Sequence, residues 1–264
     1  MWKRLARDGA AVVLLIAAIG YTASLIRPVY AGKAPVVGEL IRKVEPPPPP
    51  REAPMLPGEL ADSVARIEAS PEFAQQKAKF AADLVRTGRV TPVRADSIAR
   101  FAVREAFLRR IPPPVIFGIL LTENAQFISH AKSNVGAVGL MQVYPKVWAK
   151  ALARKFGGGA DIAEDSTNIR YGVFILSNYL KPRSNDPSDV VSTEPGSLMK
   201  GLLHYNGCVR GTNTPRCHTY PTKVAQFVER QGQSLCGGHS FYDCIAKPFM
   251  DGLLGRGSTA SANE

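Results

Sequence analysis

A chain of 264 residues with 45% hydrophobic and 21% charged content is long enough to bury a sizeable core, as one large domain or two small ones. Its 8 Tyr, 11 Phe and 2 Trp argue against wholesale disorder, and scattered glycines with 21 prolines exclude a collagen-like or coiled-coil chain. Lys and Arg number 33 against 22 Asp and Glu, and the resulting +11 favours an anionic partner: nucleic acid, a lipid headgroup surface or an anionic cell-wall polymer.

The first segment is an uncharged run from Gly9 to Ile26, rich in Ala, Val, Leu and Ile. As a helix it would measure about 27 Å, close to the hydrocarbon thickness of a bilayer. Lys3, Arg4 and Arg7 precede it, so the positive-inside rule keeps the N-terminus cytoplasmic and exports the chain beyond the run. Two readings stand: an uncleaved membrane anchor, or a secretory signal cut after Val29-Tyr30-Ala31. Either one takes the rest of the chain out of the cytoplasm. Residues 46–50 are five consecutive prolines, followed by Pro54 and Pro57. Such a stretch forms a semi-rigid polyproline spacer, about 15 Å over the five prolines. The expected organisation is therefore an anchor or signal over 1–30 and a Pro-rich linker over 31–57. A folded domain over 58–250 and a small-residue tail over 251–264 complete it.

Within 58–250 the pattern is helical, with little strand-type alternation. Ser70-Pro71-Glu72 and Thr91-Pro92 each combine an N-cap with Pro at the first helical position. The second opens a helix whose apolar side includes Val93, Ile98, Phe101 and Ala102. Pro112-Pro113-Pro114 opens a third, running through Val115 to Glu123. Asn168-Ile169 begins a fourth, through Tyr171, Phe174, Ile175 and Tyr179, and Leu198 to Tyr205 reads as a fifth. The fold class expected is mostly α. The four cysteines, Cys208, Cys217, Cys236 and Cys244, lie in the last quarter as two close pairs. In an exported protein an even count reads as disulfides, and proximity pairs 208 with 217 and 236 with 244. His218 and His239 raise zinc as a competitor, but the spacings lack the paired pattern of a structural site, so no metal is expected.

One residue departs from the pattern. Glu123 stands at helical spacing from Ile116, Ile119 and Leu120, on the apolar side of its helix, and no other acidic residue lies between Glu105 and Asp161. A carboxylate there is costly unless protonated or paired, and the negative end of the helix dipole disfavours the anion further. Both effects raise the pKa towards that of a general acid working near neutral pH. A glutamate that merely turns out to solvent at the helix end is the alternative. Downstream, the glycine-punctuated turn Ser133 to Gln142 permits close approach of a ligand and ends in an amide that both donates and accepts. Tyr205-Asn206-Gly207 then closes a hydrophobic helix.

Together these blocks resemble the lytic transglycosylases of the soluble, lysozyme-like family. That family's pattern is a catalytic Glu, then G-A-x-G-L-M-Q, then N-I-x-x-G, then Y-N; here Glu123, Gly136 to Gln142, Asn168-Ile169 with Gly172, and Tyr205-Asn206 occupy those places. Tyr220 and Val224 fit the family's Y-x-x-x-V ending. The resemblance spans about residues 110 to 228 and implies a lysozyme-like α+β domain with little β. Three features depart from it. Asn124 replaces the usual Ser, Phe127 sits four rather than three residues past the acid, and Gly207-Cys208 leads into a cysteine-bounded insert where Ala-Gly is usual. The insert is expected to modify one rim of the cleft.

The resemblance implies a chemistry that one acid can carry. Most glycosidases need two carboxylates, whereas in this family the N-acetyl group of N-acetylmuramic acid (MurNAc) assists departure and its own 6-hydroxyl completes the reaction. The expected activity is cleavage of the β-1,4 bond between MurNAc and N-acetylglucosamine with a 1,6-anhydro product, Glu123 acting as acid and then as base. By the same resemblance Gln142 and Met141 contact the substrate, and Tyr205 with Asn206 orients Glu123 or meets the acetamido group. Asp161, Glu164 and Asp165 read as a solvated loop, and Tyr144, Trp148, His130 and His204 as packing or rim residues. A hydrolytic muramidase on the same fold and a non-catalytic peptidoglycan-binding component are the alternatives. No cofactor is expected. The partners implied are peptidoglycan strands and, through the N-terminal helix, the inner membrane, with the domain on its periplasmic face or, after cleavage, free in the periplasm. Nucleic acid is not expected as a partner of an exported domain. The charge divides accordingly: residues 1–57 hold 8 basic and 4 acidic residues, or +4, which leaves +7 on the rest.

Overall fold

A computed structural model describes residues 57–181, 191–208 and 216–250. The apolar run Gly9 to Ile26, the proline run and the tail from 251 onward lie outside the described residues, and so do the expectations made for them. Among the described residues the order is α1 (Pro57–Glu68), α2 (Pro71–Arg86), α3 (Pro92–Leu108), α4 (Pro113–Glu123), α5 (Pro145–Phe156), α6 (Asp165–Leu180) and α7 (Pro195–Tyr205). A short 3-10 turn (Cys217–Thr219) leads into α8 (Tyr220–Gln231), α9 (Gln233–Cys236) and α10 (Phe241–Ala246). The architecture is mostly helical, as expected. Strand pairing in the described part is confined to isolated bridges, Lys132 with Val138 and Val138 with Val143. No helix of the described residues is long and apolar enough to cross a membrane.

The helix starts follow from local chemistry. Ser70 Oγ accepts from Phe73 N at 3.2 Å and Thr91 Oγ1 from Arg94 N at 3.4 Å, each with Pro inside the first turn. The start expected at Asn168 is three residues late, because α6 begins at Asp165 with Glu164 as its N-cap. The Glu164 carboxylate accepts from Thr167 N at 2.8 Å, a capping role that glutamate seldom fills, so the usual Ser/Thr/Asp/Asn signal is missing. Val93 is also misassigned: it is 83% exposed, two residues before Ala95 and so on the face opposite the buried stripe Ala95, Ile98, Ala99 and Ala102.

Helix α4 is the centre of the fold. Every residue from Pro113 to Leu121 is buried, which only neighbours on all sides can achieve. It packs against α8, α3, α2 and α10. Gly118 sets the closest approach: a Cβ there would lie 2.8 Å from both the carbonyl oxygen and Cγ1 of Val224 on α8. The main core gathers Phe80, Leu84, Phe107, Phe117, Leu176 and Val228 around α4. A second apolar cluster, built on Trp148, Leu152, Tyr171 and Phe174, joins α5 to α6, and Tyr205 packs against both.

The C-terminal helices are too short to hold themselves and are fastened individually. Buried Asp83 on α2 accepts from Ser234 N and Leu235 N, both at 2.8 Å, and pairs with Arg86. Glu229 on α8 accepts from Phe241 N at 3.0 Å, which anchors the start of α10. The cysteines pair as proximity suggested, Cys208 with Cys217 and Cys236 with Cys244, the second bond tying α9 to α10.

Candidate active site

Glu123 is the last residue of α4. The helix before it is apolar all round, so its spacing from Ile116 and Ile119 does not single it out as expected. What distinguishes it is that the helix stops there. Asn124 leaves helical geometry (φ −147°, ψ 71°), and the chain opens onto a cavity of about 510 Å³ whose wall includes Thr122, Glu123, Asn206, Cys217 and Tyr220. Tyr220, the first residue of α8, donates its hydroxyl to Glu123 Oε1 at 2.5 Å. Burial pushes the Glu123 carboxyl up to about 7, and the Tyr220 hydrogen bond opposes that rise. Burial and the neighbouring Glu123 carboxylate hold the Tyr205 and Tyr220 phenols well above their ordinary range, so both stay protonated. A carboxyl so placed is able both to give and to take a proton near neutral pH, beside a hydroxyl donor.

The loop after Glu123 is held from below. The Asn124 side chain donates to Ile128 O at 2.8 Å and accepts from Ile128 N at 3.1 Å, closing the turn directly behind the acid. Where the resembling pattern has Ser, this chain thus has a two-way clamp. Phe127, in the left-handed region at φ 51°, is fully buried beneath it. Further on, Val138 and Val143 exchange backbone hydrogen bonds at 2.8 and 2.9 Å around Gly139 to Gln142. Asn168, wholly buried on α6, fixes this turn: it accepts from Met141 N at 2.7 Å and donates to Val138 O at 2.9 Å and Ile162 O at 2.8 Å. Two glycines make room. A Cβ at Gly139 (φ 80°) would sit 2.3 Å from the Asn168 side chain, and one at Gly172 would sit 2.6 Å from Met141 Sδ.

The expected site residues therefore separate. Glu123 and Asn206 share the cavity wall. Tyr205, half-buried, donates to Met141 O at 2.8 Å and so bridges α7 to the glycine turn rather than bonding Glu123. Gln142 lies in the left-handed region at φ 47°, its amide donating to Gly139 O at 2.8 Å. Met141 is fully buried, its side chain packed against Gly172. Trp148 is core, edge-on to Tyr179, and His204 stacks on Tyr179. The three other acids have structural partners: Asp165 pairs with Arg94 and Ser129, Asp161 with His130, and Glu164 caps α6. Local hydrogen bonds hold the Glu164 carboxyl down to about 2. Tyr220 carries the bond to the acid. The sequence marked it only as part of a terminal pattern, since nothing local links positions 97 residues apart.

The site falls partly within a recognised domain. Residues 103–207 match the family model of the transglycosylase SLT domain. That stretch contains Glu123, the glycine turn, Asn168, Gly172, Tyr205 and Asn206, whereas Tyr220 lies 13 residues beyond it. No curated protein and no solved structure matches the chain. The match over residues 103–207 thus supports a transglycosylase domain of the SLT kind and, at the level of that family, a peptidoglycan lytic-transglycosylase function.

Proposed function

We propose that Glu123 is the general acid and then the general base of this reaction, at a bond between MurNAc and N-acetylglucosamine. The observation that carries this reading is a carboxyl at about 7, on a cavity wall, hydrogen-bonded to Tyr220. In the first step the protonated carboxyl gives its proton to the glycosidic oxygen. The acetamido oxygen of MurNAc bonds to the anomeric carbon as the C–O bond to the leaving sugar breaks. In the second step the Glu123 carboxylate takes the proton of the same sugar's 6-hydroxyl, whose oxygen attacks the anomeric carbon and displaces the acetamido oxygen. The product is the 1,6-anhydro sugar, and the carboxyl ends as it began. Tyr220 stabilises the carboxylate between the two steps with a charge-assisted hydrogen bond.

The supporting roles are those the family resemblance implies. Asn206, on the wall beside Glu123, contacts the acetamido group. Gln142 holds the glycan, its side chain fixed by the bond to Gly139 O. Tyr205 is a positioning residue acting through the Met141 carbonyl, and Met141 packs beneath the turn. Glu123 is the acidic residue among the described cavity lining, which suits attack by the substrate's own hydroxyl over a two-carboxylate hydrolysis. The wider reading is a lysozyme-like domain carried on a stalk at the periplasmic face of the inner membrane. It rests on Gly9 to Ile26, Lys3, Arg4 and Arg7 and the proline run.

The test is digestion of purified peptidoglycan by the full chain and by Glu123→Gln, with mass analysis of the muropeptides. Anhydro ends from the wild type and at least a thousandfold less from the variant are expected. Reducing ends without anhydro sugars would instead assign a hydrolytic muramidase.

A further inference from the structure

The cavity at Glu123 is lined by more positive charge than the proposed step at the glycosidic bond requires. Along α8 the residues Tyr220, Lys223, Phe227 and Arg230 recur at helical spacing on one face, and all four line the cavity. Arg216, just before Cys217 and its disulfide, lines it as well. The three cations are exposed, and the acid that shares the cavity with them is Glu123. At 1.5 Å per residue, Lys223 stands about 4.5 Å and Arg230 about 15 Å along the helix axis from Tyr220, the hydroxyl that bonds the acid. A positive stripe therefore starts at the reacting bond and continues well past it.

A glycan of N-acetyl sugars has no charge to match such a stripe. Its anionic groups, one lactyl carboxyl on each MurNAc, are consumed in peptidoglycan in the amide bonds to the peptides. A peptide branch does match. An extended peptide advances about 3.4 Å per residue, so 15 Å spans about four residues, and the carboxylates of an acidic peptide lie along that length. We infer that Arg216, Lys223 and Arg230 form a subsite for the acidic peptide branch of the strand, selecting peptide-bearing glycan over bare glycan at the cut bond. Phe227, between the two α8 cations on the same face, supplies an apolar surface for the aliphatic parts of that peptide.

This inference rests on the proposed use of the cavity, and the experiment separates the two. The full chain is given three soluble strands of equal glycan length: peptide-bearing, peptide-bearing with the carboxylates amidated, and peptide-stripped. Anhydro products are measured at low salt. Exposed ionic contacts are individually weak, about twofold each, so with three of them kcat/KM is expected to be about tenfold higher on the peptide-bearing strand than on the amidated one. In Lys223→Gln/Arg230→Gln, which leaves Arg216 in place, that ratio falls to about two, and Lys223→Arg keeps it at about ten. A wild-type ratio near one overturns the subsite, as does a double variant that retains the tenfold preference. Greatest activity on the stripped strand, whose lactyl carboxyl is free, also overturns it in favour of a lactyl contact. Absence of anhydro product from every strand refutes the proposed function instead. The subsite is then judged by calorimetric titration of the Glu123→Gln chain with the free acidic peptide: binding about tenfold tighter than to the amidated peptide supports it, and equal binding rejects it.

Discussion

The raised carboxyl of Glu123 has a consequence that does not involve substrate. A group that ionises at about 7 in the folded chain and at 4.5 when solvated binds more protons folded than unfolded between those values. The stability it contributes is complete below pH 4.5 and is lost as the pH rises through 7. Glutamine does not titrate, and its side-chain oxygen still accepts from Tyr220. Glu123→Gln should therefore gain stability over the wild type as the pH rises. Integrating the linkage from pH 5 to pH 8 gives a relative gain of about 2.5 kcal/mol. For a chain of this size that is about 5 to 10 °C in Tm. Every other titrating group is common to both proteins and cancels in the difference. Thermal unfolding of the two full-length chains at pH 5, 6, 7 and 8, without substrate, reads it directly. Parallel curves, with a gap that changes by less than about 0.5 kcal/mol, would mean that the carboxylate is solvated. The burial argument for an acid at neutral pH would then fall. The same titration sets the activity profile: kcat/KM should decline as pH rises past about 7, as the proton needed for the first step leaves.

Three other sites give independent checks. Tyr220→Phe removes the hydrogen bond that holds the Glu123 carboxyl down, so kcat/KM should fall about tenfold while the alkaline limb moves to higher pH; a loss without that movement would make Tyr220 merely structural. Asn168→Ala leaves Met141 N and Ile162 O without their buried partner, while Val138 O keeps Val143 N, and should cost about 2 to 4 kcal/mol in urea unfolding. Activity should also drop more than tenfold as the glycine turn shifts, and an unchanged unfolding midpoint would refute the clamp. Cys236→Ser/Cys244→Ser opens a loop with a sequence separation of 8 and should lose about 2.5 kcal/mol by chain entropy, measured by thermal unfolding against the wild type.

How far this could be read from residues alone varies with the range of the interaction. Ser70, Thr91 and the prolines beside them act within one turn, and their helices begin where the pattern puts them. Disulfide pairing was legible because each pair is close in the chain. The start of α6 was not, since Glu164 fills a role that another residue type usually takes. The environment of Glu123 was half legible. That a carboxylate ends an apolar helix is written in the chain, but its burial depends on α8 lying against Gly118, and its partner Tyr220 comes from that same helix.

Many residues of the ordered blocks that carry the family resemblance have structural partners within the protein. Gly139 and Gly172 are spaces, one for the Asn168 side chain and one for Met141. Asn168 and Tyr205 hold the Met141 backbone from opposite sides, through its N–H and its carbonyl oxygen. Asn124, where this chain departs from the pattern, locks the first turn after the acid. Taken separately, each residue type suggests a contact with sugar; taken as a network, α6, α7 and the turn fix the position of Gln142 relative to the end of α4. The proposed use of one carboxyl as acid and then as base depends on such rigidity, because both steps must share one geometry and small displacements are costly in rate. In the proposed reaction the acid is one residue, Glu123, and Asn168, Gly139, Gly172 and Tyr205 belong to the framework around the glycine turn.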